Sequence, residues 1–172
     1  MRIGAIFTLL FAASYTMFAQ GTGGGSLVTK VSPGRAGVFV DGKYVGPASS
    51  FRIARKYPVA AGEHEIKLVD PRYEEVVTKV TIQPGKKTKL AQTLKPLPKA
   101  EPPFGALRVQ HADKFAPVYV NGKYCGHADE FSNVSQRLLL KPGEYEVKVE
   151  PASGAPIVQK VNIEAGKTVT VK

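Results

Sequence analysis

The chain has 172 residues, with 24 Lys or Arg against 14 Asp or Glu, for a formal net charge of +10. That balance suits anionic partners such as acidic polysaccharide, lipid headgroups or nucleic acid, although lysines alternating with glutamates along the strands read first as a source of solubility. The length admits one ordinary domain or two small ones. A single cysteine, Cys125, excludes an internal disulfide framework, so the fold must rely on packing.

Residues 1–20 read as a secretory signal. Arg2 opens the segment, Ile3 to Phe18 carry no charge, and the small residues Ala19 and Gly21 follow. The apolar run is short for a membrane-spanning helix, so no stable transmembrane segment is expected after cleavage. Export to the periplasm or the cell surface is the expectation. Residues 21–26 (GTGGGS) read as a flexible glycine-rich leader. Without a preceding strand or a following helix start they do not make a phosphate cradle.

From Leu27 the chain runs as short strands cut by turns. Leu27 to Val31 is a first strand, broken by Ser32-Pro33-Gly34. Val38 to Val45 contains Asp41-Gly42 between β-branched and aromatic runs, the signature of a hairpin whose two turn residues take positive φ. Arg52 to Val59 is irregular, and Pro58 argues against a central strand. His64, Ile66 and Leu68 share one face of the next strand, with Glu65 and Lys67 on the other. Val76 to Ile82 and Lys87 to Leu94 complete a module spanning 27–94.

The next nine residues, 95–103 (KPLPKAEPP), hold four prolines. They read as a semi-rigid spacer of roughly 3 Å per residue, about 25 Å in all if extended, unless the modules fold back on each other. A second module, 104–172, then repeats the plan. Val118 to Gly126 (VYVNGKYCG) echoes Val38 to Gly46 (VFVDGKYVG) at an offset of 80 (118 − 38). After one inserted residue, Gly143-Glu144-Tyr145-Glu146-Val147-Lys148 echoes Gly62-Glu63-His64-Glu65-Ile66-Lys67. Repetition at this scale makes the chain two copies of one unit. Short strands, regular turn signals and no amphipathic helix predict an all-β fold of two tandem small sandwiches joined by a Pro-rich linker.

The repeat resembles the PEGA-domain family of bacterial and archaeal envelope proteins. The resemblance rests on Pro33-Gly34-Arg35-Ala36 ahead of the hairpin, on the strands GEHEIKL and GEYEVKV, and on the closing IQPGKK and IEAGKT. It covers Leu27 to Leu94 and Leu107 to Val171; the second copy departs from it with Asp113-Lys114-Phe115-Ala116. The resemblance implies a transthyretin-like or carboxypeptidase-regulatory-like β-sandwich, and a noncatalytic surface or appendage role.

Two residue groups are candidate sites. If each hairpin turn holds two residues, Phe39 faces Tyr44 and Tyr119 faces Tyr124 across the strands, beside Lys43 and Lys123. Exposed, these aromatic pairs with a nearby cation would suit sugar rings or acidic polymers; otherwise they would cover a second small core or a module–module contact. In module two, His111, Asp113, Cys125, His127 and Asp129 are metal-ligand types that could meet across neighbouring strands. Their spacing matches no zinc pattern. The alternative is Cys125 as a small buried residue in place of Val45, with both histidines on solvated loops. His64 aligns with Tyr145 and reads as a packed histidine with one hydrogen-bonded nitrogen.

No nucleophile elbow or His-Glu-x-x-His motif occurs, so neither an enzyme nor a cofactor is expected. Export and the dispersed lysines disfavour nucleic acid. The reading is an exported envelope module that contacts an envelope polymer (polysaccharide or peptidoglycan) or an envelope protein through its hairpins. The competing reading is a spacer without a ligand, and a third is a metal-binding protein or enzyme in which the His, Cys and Asp residues of module two converge.

Overall fold

The computed structural model describes residues 23–172 apart from residue 53. The expected signal segment, 1–20, lies outside the described residues.

Module one contains β1 (Gly25–Ser32), β2 (Gly37–Val40), β3 (Lys43–Pro47), a 3-10 turn (Ala48–Phe51), β4 (Tyr57–Val59), β5 (Gly62–Val69), β6 (Val76–Ile82) and β7 (Lys87–Thr93). These strands form two sheets, β4-β1-β7 and β3-β2-β5-β6. Module two repeats the list as β8 (Gly105–Val109), β9 (Pro117–Val120), β10 (Lys123–His127), a 3-10 turn (Ala128–Phe131), β11 (Leu138–Leu140), β12 (Gly143–Val149), β13 (Ile157–Ile163) and β14 (Thr168–Val171). Its sheets, β11-β8-β14 and β10-β9-β12-β13, have the same order as those of module one. The chain is all-β, two sandwiches in tandem.

Alternation builds each core. On β5, Ile66 and Leu68 are fully buried while Glu65 faces out; on β12, Val147 and Val149 do the same opposite Glu146. Leu27, Val38 and Ile82 complete the first core, and Leu107, Val118 and Ile163 the second. Each such side chain contributes about 1.5–3 kcal/mol relative to exposure. The first and last strands of each module pair in parallel, β1 with β7 and β8 with β14, which ties the two ends of each module together. Pro58 lies in β4 at a sheet edge, where its missing N–H removes no central ladder bond.

Both hairpins have the expected two-residue turn. Asp41 and Gly42 take φ of 49° and 79°, and Asn121 and Gly122 take 49° and 74°. The turn residue also bonds to the next strand. Asp41 Oδ1 accepts from the Glu65 N–H (3.0 Å), as Asn121 Oδ1 does from the Glu146 N–H (2.8 Å). Asp41 Oδ2 further contacts His64 Nδ1 at 2.6 Å, and His64 Nε2 lies 3.1 Å from the Ala60 carbonyl, so both ring nitrogens are bonded where one was expected.

The His64 and Glu65 hydrogen bonds hold the Asp41 carboxyl below its ordinary value of 3.8. A depressed folded-state pKa stabilises above the unfolded value and is lost as pH falls through the folded one. Asp41→Asn is therefore expected to lower the melting temperature at pH 7 and to have little effect at pH 2. Equal effects at both pH values would rule out the carboxylate as the cause.

Two expectations are corrected. Gly25 and Ser26 belong to β1 and not to a free leader: a Cβ on Gly25 would sit 2.5 Å from the Gln83 carbonyl oxygen, so the backbones pass closer there than any side chain allows. The Pro-rich segment does not hold the modules apart. It docks on module one through a Tyr73–Pro96 bridge, Glu74 N–H to the Lys95 carbonyl and Leu97 N–H to the Arg72 carbonyl (both 2.8 Å). Lys141 of module two then donates to the carbonyls of Glu101 and Pro102. Backbone groups that an extended spacer would leave to water are bonded within the protein.

Candidate functional site at the paired hairpins

The register places Phe39 opposite Tyr44 and Tyr119 opposite Tyr124, as the hairpin pattern requires. One residue further, each second strand bulges, so Val38 faces Gly46 and Val118 faces Gly126, with Val45 and Cys125 as the extra residues. The bulge keeps Val45 and Cys125 against their cores and the aromatic pairs on the outer face of each four-stranded sheet.

Those outer faces meet each other. Tyr124 lies 5.4 Å from Phe39, 5.3 Å from Tyr44 and 5.9 Å from Tyr119, centroid to centroid, and Phe39 lies 5.4 Å from Tyr44. Three of these four contacts are edge-to-face, the arrangement ring quadrupoles favour. Tyr124 is 4% exposed and lies against Gly37, where an added Cβ would come within 2.6 Å of the ring. The hydroxyls of Tyr124 and Tyr44 approach to 3.5 Å, a weak contact. Burial pushes both phenols well above their ordinary value, and burial with nearby Glu150 pushes Tyr119 up to about 12. Of the two readings of these aromatics, exposed pairs or a module–module contact, the structure shows the module–module contact. Two half-apolar faces remove more surface from water by covering each other than by standing apart.

An ionic bridge runs beside the rings. Asp70 of module one, 2% exposed at its side chain, accepts from Arg35 Nε (3.1 Å) and from the backbone N–H, Nε and Nη2 of Arg72 (3.0, 3.0 and 3.1 Å). Glu130 of module two reaches the same guanidinium groups, 3.5 Å from Arg72 and 3.9 Å from Arg35. Sequence reading missed these four residues. One signal was available: each falls where the two copies differ, Arg35 against Phe115, Asp70 against Pro151, Arg72 against Ser153 and Glu130 against Ser50. Two copies that meet through unlike surfaces must diverge at those surfaces.

Grooves flank the clasp. One, of about 730 Å³, is lined by Lys43, Tyr44, Phe115, Pro117, Tyr119 and Glu150 among others. A second, of about 410 Å³, takes in Phe39, Lys67, Glu75, Tyr119, Lys123 and Tyr124. Phe115 is 52% exposed at the first groove.

The metal candidates have separate structural duties. His111 Nδ1 accepts from the Asp113 N–H (3.0 Å), while the Asp113 carboxylate accepts from the N–H groups of Phe115 (3.0 Å) and Ala152 (2.9 Å). Cys125 is buried, bonds to the Lys123 carbonyl at 3.4 Å, and has its thiol pushed up to about 11 by burial, which leaves it inert near neutral pH. His127 is buried too, not on a solvated loop, with Nδ1 2.8 Å from Glu130 Oε1 and the ring 5.6 Å from Phe115. Asp129 is exposed at the start of the 3-10 turn. Among the described residues no three His, Cys, Asp or Glu side chains come together as a metal-holding group.

Residues 25–98 match the family model described as PEGA domain. The first module matches the PEGA domain model. The matched range begins at the close-approach residue Gly25 and runs four residues past Leu94, over the segment that the Tyr73–Pro96 bridge docks. The matched range thus takes in the start of the Pro-rich stretch. PEGA domains are typical of envelope proteins, and among the described residues no helix is long and apolar enough to cross a membrane. No curated protein matches the chain. Among solved structures it is similar to the Bacillus anthracis TIE protein, at 13% identity and a TM-score of 0.26, over 87% of this chain and 33% of that one. The chain spans about a third of that protein's length, and a likeness so distant carries no argument.

Proposed function

We propose that the protein is an exported, noncatalytic envelope module that contacts an anionic envelope polymer or a partner protein at the groove between its hairpins. The observation that supports this is the 730 Å³ groove, where Tyr44, Phe115 and Tyr119 supply ring surface beside exposed Lys43. Ring surface with an adjacent cation suits the apolar face of a sugar and its acidic substituent. The carboxylates at the groove are already engaged: Asp113 accepts two backbone N–H bonds, and Glu150 lies 2.5 Å from Lys148. Among the described residues Lys43 has no carboxylate partner, so its ammonium is the cation at the groove open to a ligand.

The test is co-sedimentation with isolated cell-envelope polymer at low and high salt. Pelleting is expected to survive high salt and to fall by about tenfold in a Lys43→Gln, Phe115→Ala double variant, which removes two exposed side chains and leaves both cores intact. Pelleting unchanged by the double variant would overturn the groove as the contact. No pelleting at either salt would favour the second reading, a passive spacer. The ring cluster and the ionic bridge support that reading, because they fasten two modules into one body without needing a ligand.

A further inference from the structure

The positive charge is divided unevenly. Residues 27–94 carry 12 Lys or Arg against 6 Asp or Glu, whereas residues 104–172 carry 9 against 7. Much of the excess lies on one face. On β7, Lys87, Lys89, Ala91 and Thr93 are exposed and alternate with Leu90 in the core. Parallel register sets Lys87 beside Ser26, Lys89 beside Val28 and Ala91 beside exposed Lys30, so Lys30, Lys87 and Lys89 stand on the same outward face of the β4-β1-β7 sheet. No acidic residue occurs in β1, β4 or β7. Five other lysines, Lys67, Lys79, Lys95, Lys148 and Lys167, lie within ion-pair distance of a carboxylate. Among the described residues, Lys30, Lys87 and Lys89 have no such partner.

The second module supplies a natural comparison. Its matching sheet, β11-β8-β14, has Gln110, Thr168 and Thr170 at the equivalent positions. The strand pairing is the same and the charge is gone. These lysines are therefore not a requirement of the fold.

We propose that the outward face of the β4-β1-β7 sheet, carrying Lys30, Lys87 and Lys89, is a docking surface for a linear acidic polysaccharide. The surface is a second contact, separate from the inter-hairpin groove. Lysines two apart on a strand stand about 7 Å from each other, and Lys30 continues the row on the neighbouring strand, so the positive charge follows the strand direction as an extended polyanion would. The exposed large apolar residues, Val77, Leu97, Phe115, Val134, Leu139 and Val158, all lie elsewhere. The face thus offers no wedge for a bilayer and no aromatic or aliphatic anchor for a stable protein interface. Flexible ammonium groups on an exposed strand suit a hydrated polymer with repeating charges.

The experiment measures binding of the protein to polygalacturonate across a salt series, with neutral dextran and anionic lipid vesicles alongside. Three variants are compared with the parent: Lys30→Gln/Lys87→Gln/Lys89→Gln, a module-two control Lys160→Gln/Lys167→Gln/Lys172→Gln at exposed positions outside both grooves, and the groove pair Lys43→Gln/Phe115→Ala. The module-one triple variant is expected to bind at least about tenfold more weakly at low salt, with a shallower salt dependence, while the module-two control stays within about twofold of the parent. Equal loss in both triple variants would show net charge alone at work and overturn the site. Loss confined to the groove pair would overturn this surface and leave the groove reading standing. Vesicle binding as strong as polygalacturonate binding would overturn the polysaccharide assignment. Failure of the parent to bind polygalacturonate would overturn it outright.

Discussion

Truncating Tyr124 to alanine is expected to release the two modules from each other while each stays folded. Tyr124 is 4% exposed, yet it belongs to neither module's core; its ring contacts are Phe39, Tyr44 and Tyr119, and the first two belong to the other module. Removing a buried aromatic ring costs about 3–5 kcal/mol in a core, and a value near the lower bound is expected at a joint that water can enter. Small-angle scattering should show a larger radius of gyration, with amide shifts confined to the hairpins. Gly37→Val approaches the same joint from the other side, because its Cβ would meet the Tyr124 ring at 2.6 Å. It should expand the molecule without removing any aromatic surface. Unchanged scattering in both variants would show that the rings do not hold the modules together.

Replacing Arg35 and Arg72 together by methionine should produce the largest loss of stability. Asp70 is 2% exposed at its side chain, and its carboxylate depends on three guanidinium bonds and one backbone N–H. Methionine keeps the apolar stems but leaves a buried charge with the backbone bond alone. Stranding a buried charge in this way costs about 3–5 kcal/mol, which in a domain of this size lowers the melting temperature by roughly 10 °C or more. Adding Asp70→Asn to the pair should recover part of the loss, since the penalty comes from the charge and not from the missing packing. A double variant that melts with the parent would refute the bridge as a stabilising element. An Asp70→Asn addition that recovers nothing would trace the loss to packing.

The hairpins show how far local chemistry carries. Asp-Gly and Asn-Gly require positive φ, the strand alternation sets which residues share a face, and both were legible as pairings of Phe39 with Tyr44 and Tyr119 with Tyr124. What those pairs contact was not legible. An aromatic pair on the outer face of a sheet is the same object to a local reading whether it meets sugar, water or another sheet. The metal candidates fail for a related reason. His111, Asp113 and Cys125 each engage a backbone group nearby and His127 lies against Glu130, and proximity in the alphabet of ligand types is not convergence in space.

The linker was misread because proline restricts the chain's own conformation but says nothing about its neighbours. Arg72 and Glu74 of module one and Lys141 of module two make the bonds that dock it, and all three lie outside the Pro-rich stretch. The ionic bridge was missed although the repeat marked its members as positions of divergence. Divergence alone does not distinguish a joint from drift.

By itself, the sequence determined most of the strands, though not β4, together with their turns, their inward residues and the existence of two like units. Those follow from period-two patterning and from the φ demands of particular dipeptides, both local. Only the tertiary structure decided that β1 pairs in parallel with β7, that the hairpin faces close on each other, and that Asp70, Arg35, Arg72 and Glu130 form one charge network. Each of these joins residues far apart in the chain. They depend on which faces become buried together, and a face's fate is set by what arrives opposite it.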